Sequence, residues 1–242
     1  MDATARFDLD GREFVFTAPT ALQFKTIHKI IDAYYSANYV RKRLGDIRHV
    51  VDVGACIGTM SLVYEALWPG VEILAIEPHP DNFKYLVENC KGFKNIHPVN
   101  IAISDKYERI RLAFPTQEQR PDVKRLTVYA NVGMVSRYGL SDTFVAEVDA
   151  VPLDSIVGWN VDFLKVDVDG SELHVLHGAE RVLSGHPLVT VELRPDNLAM
   201  AGLTCEDVDD YVRGMGYESQ AKFAGDPLYQ HRNWRPWFSS QS

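Results

Sequence analysis

The sequence predicts an α/β fold around an open, mostly parallel sheet, and three observations carry that expectation. From His49 onward, short apolar runs of strand length alternate with segments of helical periodicity. The first of these runs ends in a glycine turn, Asp52–Gly58, that leads directly into a helical segment. A later run of the same kind ends in a set of acids, Asp167, Asp169 and Glu172. Strands separated by helices of this length pair in parallel through right-handed crossovers.

Taken in order, Phe7-Asp8-Leu9 and Glu13–Phe16 flank Asp10-Gly11, a dipeptide suited to the tight turn of a β-hairpin. Leu22, Ile27, Ile30, Ile31 and Tyr34 then recur at helical spacing, and a second helix is expected over Asn38–Leu44. Residues 1–48 thus read as a hairpin and helical cap, and residues 49–242 as the main domain. In it, strand His49–Val53 precedes helix Thr59–Leu67, strand Val71–Ile76, helix Asp81–Cys90 and strand Ile96–Val99. Between Arg109 and Val151 the rhythm breaks: strands Arg109–Phe114 and Phe144–Val151 bracket a polar stretch with Pro115, Pro121, Gly133 and Gly139. The expectation there is an antiparallel pair carrying a flap. Strand Phe163–Val168, helix Glu172–Leu183 and strand Leu188–Leu193 restore the alternation. Thr204 and Asp207 have capping-box spacing and open a helix to about Met215. Tyr217–Phe223 and Leu228–Arg232 close the sheet as an antiparallel hairpin, and the tail Asn233–Ser242 packs at its start and then frays.

The 242 residues suit one large α/β domain with an appended element, and 46% hydrophobic with 24% charged residues allow a sizeable core. A net charge of −8 argues against general affinity for nucleic acid or anionic membrane, with Arg41-Lys42-Arg43 read as a solvated helix face. Cys56, Cys90 and Cys205 lie far apart without metal-ligand spacing, which suits a reducing compartment. The first residues lack the features of a signal peptide, and no apolar run approaches the roughly 20 residues of a membrane helix. The expectation is a soluble cytoplasmic protein with no nucleic-acid or membrane partner, for which a homodimer is compatible.

The strand–glycine–helix segment marks the ligand site, because open parallel sheets bind off the carboxyl ends of their strands. Gly54 and Gly58 let the backbone turn sharply and approach a ligand, and the helix start beyond them offers free N–H donors. Glu77 ends the next strand, where an ionised carboxylate suits the two hydroxyls of a ribose. A dinucleotide fingerprint needs a middle glycine where Cys56 stands, and Asp52 would repel a pyrophosphate while attracting the ammonium of a methionine moiety. The residues alone therefore favour S-adenosylmethionine. They leave an NAD-dependent oxidoreductase and a purely structural turn open.

Further motifs follow in order: Val51–Gly58; Ile76-Glu77-Pro78-His79-Pro80-Asp81-Asn82-Phe83 with Leu86 and Asn89; Asn100–Asp105; Pro152–Ile156; and Phe163–Glu172 followed by Leu176–Glu180. On these pieces, roughly residues 50 to 195, the chain resembles the FkbM family of class I methyltransferases. The resemblance implies a seven-stranded Rossmann-like sheet and S-adenosylmethionine as methyl donor. It implies a cofactor site of Asp52, Gly54, Ala55, Cys56, Gly58, Thr59, Glu77, Pro78 and Asp167, with Asn100, Ala102 and Ile103 against the adenine. It also implies O-methylation of a sugar or natural-product-type small molecule, the acceptor being a small molecule or glycan. Cys56 stands where the family commonly has Asn, and Asp169 where Glu is common.

A hydroxyl that attacks a sulfonium methyl must lose its proton, so a base or orienting acid is expected. Asp167, at the end of its strand, is the leading candidate, with Lys165 as electrostatic support and Glu192 near the acceptor. The plainer alternative has Asp167 holding the cofactor's amino group, Asp169 capping the next helix and Glu192 paired with Arg194. No metal is expected, because His174 and His177 share a helix whose apolar face is needed against the sheet. Tyr34, Tyr35 and Tyr39 suit an aromatic lid or helix packing, and Arg120, Lys124, Arg125 and Arg137 suit an anionic acceptor or a solvated loop. A non-catalytic nucleoside-binding module is the rival outside enzymes.

Overall fold

The computed structural model describes residues 3–9, 11–19, 47–113, 136–138, 144–223 and 225–234. The expected helices over 22–44, with their tyrosines, lie outside the described residues, as do Arg120, Lys124, Arg125 and the tail beyond 234.

The chain opens with β1 (Ala3–Leu9) and β2 (Arg12–Ala18), an antiparallel hairpin turned at Gly11 as the Asp-Gly pair predicts. Alternation along β2 puts Phe14 and Phe16 into the main core beside Leu62, Tyr64 and Phe163. Asn89 fastens the hairpin, accepting from the Thr17 N–H at 2.7 Å and donating to the Thr17 and Ile57 carbonyls.

The central unit runs β3 (His49–Val53), α1 (Thr59–Leu67), β4 (Glu72–Ile76), α2 (Pro80–Cys90) and β5 (Ile96–Val99). Next come β6 (Ala102–Ile103), β7 (Glu108–Ala113), β8 (Phe144–Val151) and the short α3 (Leu153–Ile156). The second half comprises β9 (Phe163–Val166), α4 (Glu172–His177), α5 (Glu180–Ser184), β10 (Leu188–Val191), α6 (Pro195–Met200) and α7 (Cys205–Gly214). It ends with β11 (Tyr217–Phe223) and β12 (Asp226–His231). The main sheet has seven strands in the order β11-β12-β10-β9-β3-β4-β5. Pairs from β10 to β5 are parallel, while β12 is antiparallel to both neighbours. The strand order reverses between β3 and β9, which makes their carboxyl ends the switch point of the sheet.

Two layers cover this sheet. Val50, Phe163 and Leu188 face Leu62, Tyr64 and the hairpin, whereas Val51, Val53, Leu164, Val166 and Val191 face Leu176, Val182, Val208 and Val212. The antiparallel pair expected over 109–151 is β7 with β8, joined by β6 into a separate three-stranded sheet.

Some boundaries differ from the sequence reading. The helix expected over Glu172–Leu183 is two pieces, α4 and α5, broken at Gly178-Ala179. The reason is close packing: a Cβ on Gly178 would lie 2.0 Å from the Ser104 carbonyl oxygen and 3.2 Å from Pro152 Cα. The strands expected to reach Val168 and Leu193 end at Val166 and Val191, where the backbone leaves the sheet to form the site. Among the described residues, no helix is long and apolar enough to cross a membrane.

Candidate functional site

Gly54 leaves β3 with φ +81°, and its N–H and that of Ala55 both donate to the Ile76 carbonyl at the end of β4. A Cβ here would lie 1.7 Å from the Asp167 carbonyl oxygen, so only glycine lets the β3 and β9 ends meet. Cys56 takes φ +52°, an uncommon conformation for a residue with a side chain, and burial pushes its thiol pKa up. Gly58, at φ +87°, precedes α1 without any side-chain cap, so Thr59 opens a helix whose first N–H groups face the loop.

Glu77 is buried where β4 ends. Its Oε2 accepts from the Cys56 N–H at 2.9 Å, and its Oε1 accepts from the His79 N–H at 2.8 Å and Asn82 Nδ2 at 3.2 Å. Burial raises its pKa to about 7, against the lowering effect of those donors. His79 in turn caps α2, its Nδ1 accepting from the Asp81 and Asn82 N–H groups, with Pro80 in the first turn. Asn100 reaches across from the end of β5 and donates to the Glu77 and Pro78 carbonyls at 2.8 and 3.0 Å. Ala102 and Ile103 are buried in β6, so their side chains serve packing.

Below the loop, Asp52 and Lys165 are paired in register across β3 and β9 and face the same side. Asp52 is fully buried, accepting from Ser61 Oγ at 2.7 Å and lying 3.1 Å from Lys165 Nζ. Lys165 Nζ also donates to the Gly54 carbonyl at 2.9 Å and pairs with Asp167 Oδ2 at 3.2 Å. Burial opposes its charge, but Asp167 and Asp52 outweigh that and hold the ammonium well above its ordinary pKa. One lysine therefore ties together the glycine loop, the strand beneath it and the acid that ends β9.

Asp167 is two-fifths exposed and stands at the switch point. Beyond it the chain takes an irregular turn, with Asp169 at φ +51° and Gly170 at φ +99°. Asp169 does not cap α4 as the plainer sequence reading had it, because Asn197 Nδ2 donates to its Oδ1 at 2.8 Å. The start of α4 has no side-chain cap; Glu172 instead secures the turn before it, its Oε1 accepting from the Val168 and Gly170 N–H groups at 3.2 Å. Glu192 continues the row of Lys165 and Asp167 on the neighbouring strand, with its Oε2 3.4 Å from Asn197 Nδ2 and its Oε1 3.7 Å from Arg194. Burial first, then the charges of Asp167 and Asp169, lift its pKa far above the carboxylate range. Asp226 at the start of β12 is raised to about 6, by burial and then by Asp167. Among the described residues, no group of three or more His, Cys, Asp or Glu is arranged to hold a metal.

The sequence reading brought Asp52, Gly54, Glu77, Lys165, Asp167 and Glu192 to one edge, and the structure gathers them there. It gave no role to His79 and Asn82, which orient Glu77, or to Asn197 and Asp226. The cap spacing of His79-Pro80 was a signal for the first pair. A second omission is Ser136 and Tyr138, which form a short strap with Arg137; that arginine, read as facing an anionic acceptor or solvent, pairs with Glu108 at 3.0 Å. Ser136 bridges to Ala113 and donates its hydroxyl to the Asp169 carbonyl at 2.7 Å.

The family model for the methyltransferase FkbM domain matches residues 52–219. Among solved structures, methyltransferase FkbM from Methylobacillus flagellatus aligns at 19% identity and a TM-score of 0.49, over 77% of this chain and 44% of that one. The chain thus spans less than half the length of that protein. A protein assigned as a caffeoyl-CoA O-methyltransferase from Staphylococcus aureus aligns at 8% identity and a TM-score of 0.50, over 88% and 92% of the two chains, which supports the fold. Fibrillarin from Aeropyrum pernix, solved with natively bound S-adenosyl-L-methionine, aligns at 14% identity and a TM-score of 0.47, over 93% and 80%. Among curated proteins, none matches the chain.

Proposed function

The chain belongs to the methyltransferase FkbM domain family, and on that premise we propose that it methylates a hydroxyl of a sugar or natural-product-type small molecule with S-adenosylmethionine. The observation that carries this reading is the cradle at the switch point. There Gly54 packs against the Asp167 carbonyl where no Cβ fits, with Glu77 held at the end of the adjacent strand.

The residues present fit such a cofactor. Glu77 has three of its four acceptor positions filled by His79, Asn82 and Cys56, which fixes its orientation and leaves one direction at Oε2 for a ribose hydroxyl. Asn100 holds the Glu77-Pro78 backbone, and Ala102 and Ile103 anchor the strand beside it, so Pro78 and the 100–103 backbone form one wall for a nucleobase. Gly54, Ala55, Cys56, Gly58 and Thr59 form the opposite wall, which ends in the uncapped start of α1. Asp52 supports this wall from below through Lys165. Asp167 presents a carboxylate to the cleft, where an ammonium or a hydroxyl is its natural partner.

The cofactor supplies an activated methyl on a sulfonium, so the protein's task is to position the acceptor and to take its proton. Lys165 Nζ, 3.2 Å from Asp167 Oδ2, fixes that carboxylate at the cleft, where it can orient a donor. Glu192, kept protonated by its surroundings, supplies a donor to the acceptor side.

Isothermal titration with S-adenosylmethionine, S-adenosylhomocysteine and NAD tests the first half of this reading. Binding of both methionine nucleosides without NAD is expected, and absence of their binding would overturn it. Transfer of labelled methyl to a panel of p-nitrophenyl glycosides and 4-nitrocatechol tests the second half. Methylation confined to peptide or RNA added in the same assay would refute the acceptor class.

A further inference from the structure

Three side chains from three separate segments meet beside the acidic turn, outside the cofactor walls. The Tyr138 hydroxyl lies 2.8 Å from His174 Nε2, and His174 Nδ1 lies 3.2 Å from Asp105 Oδ1. Tyr138 comes from the strap, His174 from the first turn of α4, and Asp105 from the connection between β6 and β7. The arrangement is linear, each ring nitrogen meeting one oxygen. An imidazole with its proton on Nδ1 can donate to Asp105 while accepting from Tyr138, the tautomer a carboxylate partner selects.

The strap is fixed over the turn that follows Asp167. Ser136 donates to the Asp169 carbonyl, and a Cβ on Gly170 would meet the Tyr138 ring at 3.7 Å. Gly170 is three residues from Asp167, a chain reach of at most about 11 Å. The Arg137 guanidinium carbon is 5.8 Å from the Tyr138 ring centroid, and that side chain is itself anchored by Glu108 at 3.0 Å. Asp105 falls below the usual carboxylate range; burial works the other way but is outweighed by hydrogen bonds from Ser104 and His174. The groups bonded to the His174 ring are Asp105 from the β6–β7 connection and Tyr138 from the strap, and the charged pair Arg137–Glu108 stands beside Tyr138.

We infer that Tyr138, relayed through His174 and Asp105, is the group that takes the acceptor's hydroxyl proton, an assignment that rests on the O-methyltransferase reading above. As the oxygen–methyl bond forms, the methyl–sulfur pair stays on sulfur and the hydroxyl proton moves to the Tyr138 oxygen. The phenol's own proton passes to His174 Nε2. The imidazolium so formed is paired with Asp105 and returns its proton to solvent. No charge is left on the phenol, which removes the cost of a free phenolate at neutral pH. Tyr138 is then catalytic, and His174 and Asp105 are positioning residues.

Nitrogen-15 NMR of the histidine rings, on the full chain with S-adenosylhomocysteine bound, tests the relay without any acceptor. The expected result is a neutral His174 with its proton on Nδ1, and a His174 titration that moves in Tyr138→Phe. A proton resident on Nε2, or a titration indifferent to Tyr138→Phe, would overturn the relay. Tyr138→Phe keeps the ring over Gly170, so S-adenosylhomocysteine should bind within about twofold of the parent. On any glycoside the parent methylates, Tyr138→Phe and His174→Asn should lose about 10²–10⁴-fold in turnover with little change in acceptor KM. They should also lose the acidic limb of the pH profile. Unchanged turnover would refute the assignment. If the parent binds neither methionine nucleoside, the methyltransferase reading fails first. If it binds both and the tautomer is wrong, only the relay fails.

Discussion

On the β4 side of the switch point, the groups that shape the cleft come from one continuous stretch of the sequence, β3 to the end of β5. Glu77 bonds with His79, Asn82, Asn100 and the Cys56 N–H, and the Gly54 N–H donates to Ile76, all within about two dozen residues. On the β10 side the same edge is assembled from afar: Asp167 and Asp169 from the turn after β9, Asn197 from α6, Asp226 from β12 and the strap from the 109–151 excursion. The first half is a satisfied backbone cradle. The second is a crowd of acids in which burial, and after it the charge of Asp167, raises Glu192 and Asp226, with Lys165 and Arg194 as cations. A shared cofactor needs the former, and acceptor choice needs the latter.

Glycine substitutions separate the halves most sharply. Gly54→Ala forces a Cβ onto the Asp167 carbonyl at positive φ and should destabilise by about 5 kcal/mol, combining backbone strain with overpacking. Loss of both folded yield and S-adenosylhomocysteine binding is expected. Gly170→Ala meets the Asn197 carbonyl at 2.5 Å and should cost about 3 kcal/mol. It should keep nucleoside affinity within threefold while abolishing turnover. Gly11, whose Cβ would meet nothing within 4 Å, is the control for positive φ alone, at about 1–2 kcal/mol. Equal losses of binding in Gly54→Ala and Gly170→Ala, read by calorimetry, would erase the distinction.

Lys165 is the exception, because it belongs to both halves. Lys165→Met leaves Asp52 charged at zero exposure and should cost about 3–5 kcal/mol in denaturant unfolding. Adding Asp52→Asn should recover much of that stability, but not turnover, since Asp167 still lacks its partner. Full recovery of turnover in the double variant would show that the lysine serves the fold alone.

The same contrast decides what the sequence discloses. The parallel alternation, the hairpin ends, the capping box at Thr204 and the β7–β8 pair were all legible, because each depends on local periodicity or turn chemistry. So was the β4-side cradle, whose glycines and acid stand at fixed offsets. Lys165 was visible as a lone cation in an apolar strand, yet its partner Asp52 lies 113 positions earlier, and only strand register joins them. Gly178 gave no warning that it breaks a helix, since the obstacle is the Ser104 carbonyl, 74 positions away. Tyr138 was one polar-loop residue among many until the strap's bond to Asp169 placed it.

The smallest effect expected is a pH dependence that should appear in one half only. Burial raises Glu77 from its ordinary 4.5 to about 7, and Glu172 likewise to about 7. For an acid whose folded pKa is raised, the stabilisation is complete below about 4.5 and is lost as pH rises through about 7. The unliganded chain should therefore lose stability between those limits. A ribose hydroxyl donates to the ionised form, so binding should expel the Glu77 proton and tighten from pH 6 to 8 by up to about tenfold. Glu77→Gln should bind more weakly and flatten that profile. Glu172→Gln should reduce the stability slope yet leave the affinity profile intact, because Glu172 bonds only within its own turn. Titrating S-adenosylhomocysteine into the three proteins at several pH values checks this. An affinity profile that Glu77→Gln leaves unchanged would mean that this carboxylate holds the α2 cap and no ligand.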